Sequence, residues 1–260
     1  MNKKFKSYLI NLTLIALIYI AISSLINTGA INKYYASILI MIGINVIMTV
    51  SLNLTTGFMG ELALGQTGFM SVGAFTAGVI TKSLAANGWI PATYLPVSLL
   101  AGGILAAVMG FIIGVPALRL KGDYLAVVTL GFAEIIRLLF NNLSQPVNIT
   151  NGPMGITPIQ PPMFFNLKLD QPVHYYIIVL VLLLLTVMLV RNLQNSRIGR
   201  AWVAIREDEL VARTMGVPVV RMKLLAFSIA AGLAGMMGVV FAAMQSYVDP
   251  TSFTFMESIV

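Results

Sequence analysis

The 260-residue sequence contains no cysteine, a single histidine and few charges of either sign. Without cysteine, neither a disulfide framework nor a thiolate metal site can form. His174 stands alone at the head of an apolar block, and a lone imidazole does not make a metal centre. Charged residues make up 10% of the chain, against about a quarter in soluble globular domains. No G-x-x-x-x-G-K-[ST] loop is present, so the chain does not cradle a nucleotide phosphate in that way. H-E-x-x-H and G-x-S-x-G are absent as well. The sequence therefore reads as a non-enzyme without a cofactor.

What the chain has in quantity is apolar surface: 58% of its residues are hydrophobic, and its mean hydropathy is +0.91. They come in long blocks, and about 20 such residues cross a bilayer as a helix. Candidate spans fall at 8–26, 35–55, 62–81, 94–115, 124–140, 174–190 and 224–245. The expectation is an all-α, polytopic transmembrane helix bundle of about seven segments. The first block follows a basic start, but it is too long for a signal-peptide core and no A-x-A site follows. It reads as an uncleaved membrane helix.

Gly57, Gly60, Gly65, Gly68, Gly73 and Gly78 punctuate the third span and mark it as a broken or re-entrant candidate. Irregular backbone at membrane depth survives only inside protein or beside a water-filled cavity. Gly65 and Gln66 are accordingly candidates for lining or gating a pathway.

The formal net charge of +7 does not point to nucleic acid, because the basic residues sit between apolar blocks with no aromatic-interleaved groove. With the N-terminus inside and seven alternating spans, the inner segments hold Lys3, Lys4, Lys6, Arg119 and Lys121. Arg191, Arg197, Arg200, Arg206, Arg213, Arg221 and Lys223 complete the inner set. The outer segments hold only Lys33, Lys82 and Lys168. That asymmetry is the positive-inside pattern. It makes 191–223 a cytoplasmic loop and 141–173 an external one, rich in Pro, Asn and Gly. Asn148-Ile149-Thr150 inside the latter is formally a glycosylation sequon and reads as chance.

Two spans carry small residues at every fourth position: Gly102, Ala106, Gly110, Gly114, and Ala226, Ala230, Ala234, Gly238, Ala242. Such stripes let helix backbones approach where lipid supplies no drive for association. Tight packing within one bundle is the plainer reading, a subunit interface the other. Glu134 and Arg137 stand within the fifth span, three apart and so on one helix face. Ionisable groups at that depth usually face the bundle interior. A structural ion pair and a role in gating or lining a route both remain open for them.

The stretch REDELVARTMG, residues 206–216, is the most specific local signal. From Gly199 to Met215 the composition favours helix, with Trp202, Ile205, Ala212 and Met215 near one face. Gly216 and Pro218 end it. Arginines would suit a helix lying on anionic headgroups, but three acids in a row would be repelled there. Mixed charge fits docking to a cytoplasmic partner.

Several stretches carry a family resemblance. SLNLTTGFMGELALGQTGFMSVGAFTAG, LRLKGDYLAVVTLGFAEIIRLL, NITNGPMGI and NSRIGRAWVAIREDELVARTMGV followed by KLLAFSIAAGLAGMMG are the stretches concerned. Together they resemble the membrane-spanning permease subunits of branched-chain amino-acid ABC importers, the LivM type. The third matches a T-G-G-P-x-G-[IL] pattern with Asn151 where the first Gly is common.

The resemblance implies a single permease domain over 1–260 that forms a translocation pathway for branched-chain or related hydrophobic amino acids. It implies a bacterial inner-membrane location, a homologous second permease subunit, an external substrate-binding protein and cytoplasmic ATP-binding subunits that hydrolyse the ATP. It makes Arg206, Glu207, Asp208, Glu209, Ala212 and Gly216 the ATPase-coupling residues. Against the general E-A-A-x-x-x-G coupling motif, Glu209 stands one residue too far from Gly216. Members of that family continue for some tens of residues past a position like Val260, so the resemblance also implies a truncated chain lacking C-terminal helices. Two rival functions remain: an ion-coupled secondary transporter using Glu134, and a non-transporting membrane scaffold.

Overall fold

The computed structural model describes residues 32–118, 120, 122–143, 150–159, 163–164, 167–168 and 172–254. The span expected over 8–26 lies outside the described residues. Helices α1 (Lys33–Asn53), α2 (Gln66–Ala86), α3 (Tyr94–Ala117), α4 (Asp123–Asn142) and α5 (Pro172–Gln194) come first. Two short helices, α6 (Arg197–Glu207) and α7 (Glu209–Thr214), precede the long α8 (Val219–Gln245). The segments Tyr34–Phe58, Gln66–Ala86, Pro91–Ala117, Tyr124–Asn142, Pro172–Gln194 and Val219–Gln245 are long and apolar enough to cross a membrane. The protein is an all-α, multi-pass bundle. Its extended structure among the described residues is a two-residue strand pair, β1 (Met163–Phe164) with β2 (Leu167–Lys168), and one bridge between Ile156 and Val248.

α8 occupies the centre and between residues 222 and 244 has no exposed residue, as expected of a helix apolar around its whole circumference. Small residues make this possible. A Cβ on Gly73 would strike the Gly235 carbonyl, and one on Gly238 would strike the Met70 carbonyl. On the opposite flank, Gly102, Gly103 and Gly110 of α3 lie against Val239, Met236 and Ala231. Both stripes thus serve packing within this chain, although Gly238 turns to α2 and not to α3.

Neighbouring residues fix the relative helix directions. Gly65, Gly68 and Phe75 meet Thr129, Ala133 and Phe140, so α2 and α4 run parallel. Gly102, Gly110 and Gly114 meet Val239, Ala231 and Leu224, so α3 and α8 are antiparallel. These are the directions that back-and-forth crossing requires. The loop ends segregate accordingly: 150–159 hydrogen-bonds to 246–248 at one end, and α6–α7 lie against residues 57–61 and 222–223 at the other.

The third span departs from expectation. α2 runs unbroken through Gly68, Gly73 and Gly78, and the irregular backbone precedes it. α1 ends in a π-helical turn, Leu54–Phe58, and residues 59–65 form an irregular passage. The passage is anchored where Leu64 N–H donates to Thr129 Oγ1 at 3.0 Å. Thr129 lies five residues into the Tyr124–Asn142 segment, roughly 8 Å along the helix axis. α2 therefore begins inside the bundle.

The final helix begins already at Val219, placing Arg221 and Lys223 in its first turns and not in a loop. At the far end, Asn151 has φ 61°. That left-handed backbone suits Gly or Asn, which explains an Asn where the resembling pattern commonly has Gly. Burial pushes the Asp249 carboxyl up, but donors from Ser252, Tyr247 and Thr251 outweigh it and hold the group below its ordinary value.

Candidate functional site

The polar element beneath the bundle is built by local capping. Ser196 Oγ accepts the N–H groups of Ile198 and Gly199 at 3.1 and 3.3 Å and starts α6. Gly199 lies where any Cβ would overlap the carbonyls of Leu193 and Gln194. Trp202 then enters the bundle end: it is fully buried among Leu54, Met59, Val190 and Leu233. Its indole N–H donates to the Met222 carbonyl at 2.9 Å.

One helix was expected across Gly199–Met215; two are found. Asp208 takes an extended conformation, φ −156° and ψ 109°, and caps α7 through Oδ1. That atom accepts the N–H groups of Leu210 and Val211 at 2.8 and 3.0 Å. Aspartate competes for backbone donors in this way, so it ends one helix and begins another. The break rotates α7: Ala212 is buried with Ile205 and Val219, while Met215, expected on the same face, is 80% exposed. Val203, Leu210 and Val211 are exposed beside it.

α7 closes in a Schellman turn, with Val217 N–H on the Ala212 carbonyl and Gly216 N–H on the Arg213 carbonyl. Gly216 has φ 85°, a conformation that L side chains resist.

Two contacts tie this element to the irregular passage. Arg206 Nη1 donates to the Gly57 carbonyl at 2.7 Å. Glu209 Oε2 accepts from Lys223 Nζ at 3.1 Å, and Lys223 is also ion-paired to Glu61. Glu207 stays exposed. Of the coupling candidates, Arg206, Asp208, Glu209, Ala212 and Gly216 thus have definite structural tasks. Lys223 and Glu61 were missed as site residues. In sequence Lys223 is one more cation of the inner set, and Glu61 is 162 residues away from it.

The pathway candidates fall into two places. Gly65 and Gln66 stand at the N-terminal start of α2. A Cβ on Gly65 would press on the Thr129 carbonyl at 2.5 Å. Gln66 is 7% exposed, and its Oε1 is buried without a hydrogen-bond partner. Next to it Thr67 lines a cavity of about 260 Å³ between α1, α2 and α8, with Asn45, Gln245, Met41, Met70 and Phe253 among its walls.

Glu134 and Arg137 lie on α4 and form the ion pair, with Arg137 Nε donating to Glu134 Oε2 at 2.9 Å and to Oε1 at 3.0 Å. They do not face the bundle interior as expected. Their side chains are 40% and 24% exposed, on a face shared with Tyr124, Val127, Gly131 and Leu138. The buried face of α4 is the one carrying Leu125, Thr129, Ala133 and Ile136 against α2.

Among the described residues, six apolar helices packed through small residues, with a capped, partly charged element folded under one end, define a polytopic membrane protein of the helical-bundle class. The chain belongs to the family of branched-chain amino acid transport system permease components, whose profile matches residues 34–260. It is 37% identical over 272 aligned positions to the high-affinity branched-chain amino acid transport system permease protein LivM of Salmonella typhimurium. That alignment covers 95% of this chain and 60% of that protein. It is 39% identical over 238 positions to the LivM protein of Escherichia coli, covering 83% of this chain and 54% of the relative. The autoinducer 2 import system permease protein LsrC of Salmonella typhi is 29% identical over 163 positions, with 63% and 44% coverage. The chain spans little more than half the length of the two LivM proteins. No solved structure matches it.

Proposed function

We infer that this chain is a membrane-spanning permease subunit of an ATP-driven importer of branched-chain or related hydrophobic amino acids. In this reading it sits in the bacterial inner membrane with its N-terminus and α6–α7 in the cytoplasm and residues 141–173 outside. The observation that carries it is the docking element. One face of α6–α7 is rooted in the bundle by Trp202, Ile205 and Ala212. The other presents Val203, Leu210, Val211 and Met215 amid Arg206, Glu207 and Arg213. Apolar anchors rimmed by mixed charge suit a protein partner, and an ATP-binding subunit supplies the nucleotide site for which this sequence has no phosphate loop. The substrate class follows from the relatives' names, and an external binding protein would deliver it.

The exposed Glu134–Arg137 pair supports a second permease subunit. An ion pair facing hydrocarbon is costly, whereas one facing a partner or a hydrated route is not. We place the translocation route, or the subunit contact that borders it, along this face of α4, with Gly65 and Gln66 at the start of α2 as gating candidates. An ion-coupled carrier using Glu134 is the weaker reading, because Arg137 engages both carboxylate oxygens.

The test is uptake of labelled leucine into proteoliposomes holding the full complex. Gly216→Pro, or deletion of 206–216, is expected to abolish ATP-driven uptake while membrane insertion persists; normal uptake would sink the docking role. Glu134→Gln is expected to lower uptake with insertion intact. Uptake that survives without ATPase subunits and collapses with the proton gradient would favour the carrier instead.

A further inference from the structure

Lys223 is the only charged residue that is buried among the described residues, at 3% exposure. Its ammonium has two carboxylate partners from different parts of the chain: Glu61 in the passage before α2, and Glu209 at the first position of α7. The Glu61 N–H is itself bonded to the Thr55 carbonyl at 3.0 Å, which ties this corner to the π-helical turn. Beside it Gly60, with φ 75°, turns the passage beneath the Arg206 side chain; a Cβ there would stand 3.0 Å from Arg206 Cγ. Arg206 in turn holds the Gly57 carbonyl. α6 therefore reaches residues 57–61 directly and α7 reaches them through Lys223, and 59–65 lead directly into the buried start of α2.

A lysine in such a place is not needed for stability alone, since a buried ion pair is often replaced by apolar residues without loss. Two acceptors on one ammonium offer something an apolar plug cannot. Either carboxylate can leave while the other keeps the charge compensated, so the junction can open on one side without stranding a buried cation. A buried charge left unpaired would oppose any such movement.

We propose that Lys223 is a positioning residue of the transport cycle, clasping Glu209 of the docking element to Glu61 of the passage. Displacement of α6–α7 by a partner then reaches the N-terminus of α2, where Gln66 lies. The proposal rests on the docking role given above. In it, α2 is the helix driven directly by the docking element, and the passage 59–65 is the linkage.

Two measurements test it, one of them independent of any partner. The sequence has no cysteine, so Leu62→Cys and Leu210→Cys, both at exposed positions, take spin labels uniquely. In nanodiscs the otherwise unchanged chain is expected to give one narrow label-to-label distance. Lys223→Met and Glu61→Gln are expected to broaden it, and Lys223→Arg to restore it. An unchanged distribution in both neutral variants overturns the clasp.

In the reconstituted complex, Lys223→Met and Glu61→Gln are expected to keep ATP hydrolysis and subunit association while uptake per ATP falls by about tenfold, a common size for coupling between sites. Lys223→Arg is expected to recover most of it. Should Lys223→Met fail to insert, Glu61→Gln carries the test alone, since its side chain is near-isosteric. Unaltered uptake per ATP in Glu61→Gln overturns the proposal, and so does loss of ATPase association instead of coupling. Absence of ATP-driven uptake in the unsubstituted complex would instead refute the docking reading itself, leaving the distance measurement to judge the clasp.

Discussion

Asp208 turns its carboxylate onto the N–H groups of Leu210 and Val211, its neighbour Glu209 reaches Lys223, and Glu207 stays in solvent. Three adjacent acids of similar chemistry are separated only by where the backbone points them. Trp202 shows the same dependence from the apolar side. Its ring fills the space beneath Leu54 and Val190, and its N–H satisfies the Met222 carbonyl. Trp202→Ala is expected to destabilise the protein by about 3–5 kcal/mol, the usual range for removing a buried tryptophan. Unfolding in detergent, followed by circular dichroism, measures this. A loss well under 1 kcal/mol would mean that α6–α7 are not rooted through this residue.

At the scale of elements, α8 is held by backbone proximity more than by side-chain interlock. Gly238 admits the Met70 carbonyl, and Gly73 and Gly235 admit each other. Gly238→Val is therefore expected to force α2 and α8 apart and to cost about 1–3 kcal/mol or more, as overpacking does. Reduced thermal stability with an unchanged helix signal would confirm it. The α6–α7 element behaves differently, because its stops and starts are chemical. Ser196 and Asp208 begin its two helices, and the Gly216 turn ends the second. Of these, the sequence showed the helix-forming composition and the Gly-Pro end, but not the Ser196 cap. Nor did it show the interior break, because Asp208 serves as a cap only where the N–H groups of Leu210 and Val211 are free to donate to it.

For the whole molecule, alternating helix directions bring the charged contacts of α6–α7 to one end and the 150–159 and 246–254 segments to the other. Which end faces the cytoplasm is open to direct measurement in the cysteine-less chain. Leu210→Cys is expected to react with an impermeant maleimide only from the cytoplasmic side. Met154→Cys, 77% exposed, is expected to react only from the outside. The reverse pattern would overturn both the orientation and the docking role.

Composition and block length alone determined that the chain is an all-α, multi-pass membrane protein, because burying apolar helices in lipid is dictated by length and hydropathy. Local signals likewise announced the polar helix-forming stretch 199–215 and the Glu134–Arg137 pair, since both depend on neighbours within a few turns. The junction of Glu61, Lys223 and Glu209 was decided only by tertiary structure. So was the outward placing of Glu134, which depends on which face of α4 Thr129 and Ala133 commit to α2. The reason is the same in both cases. A residue's partner across the bundle is set by how whole helices pack, and no local pattern of a few turns reveals a pairing across 162 residues.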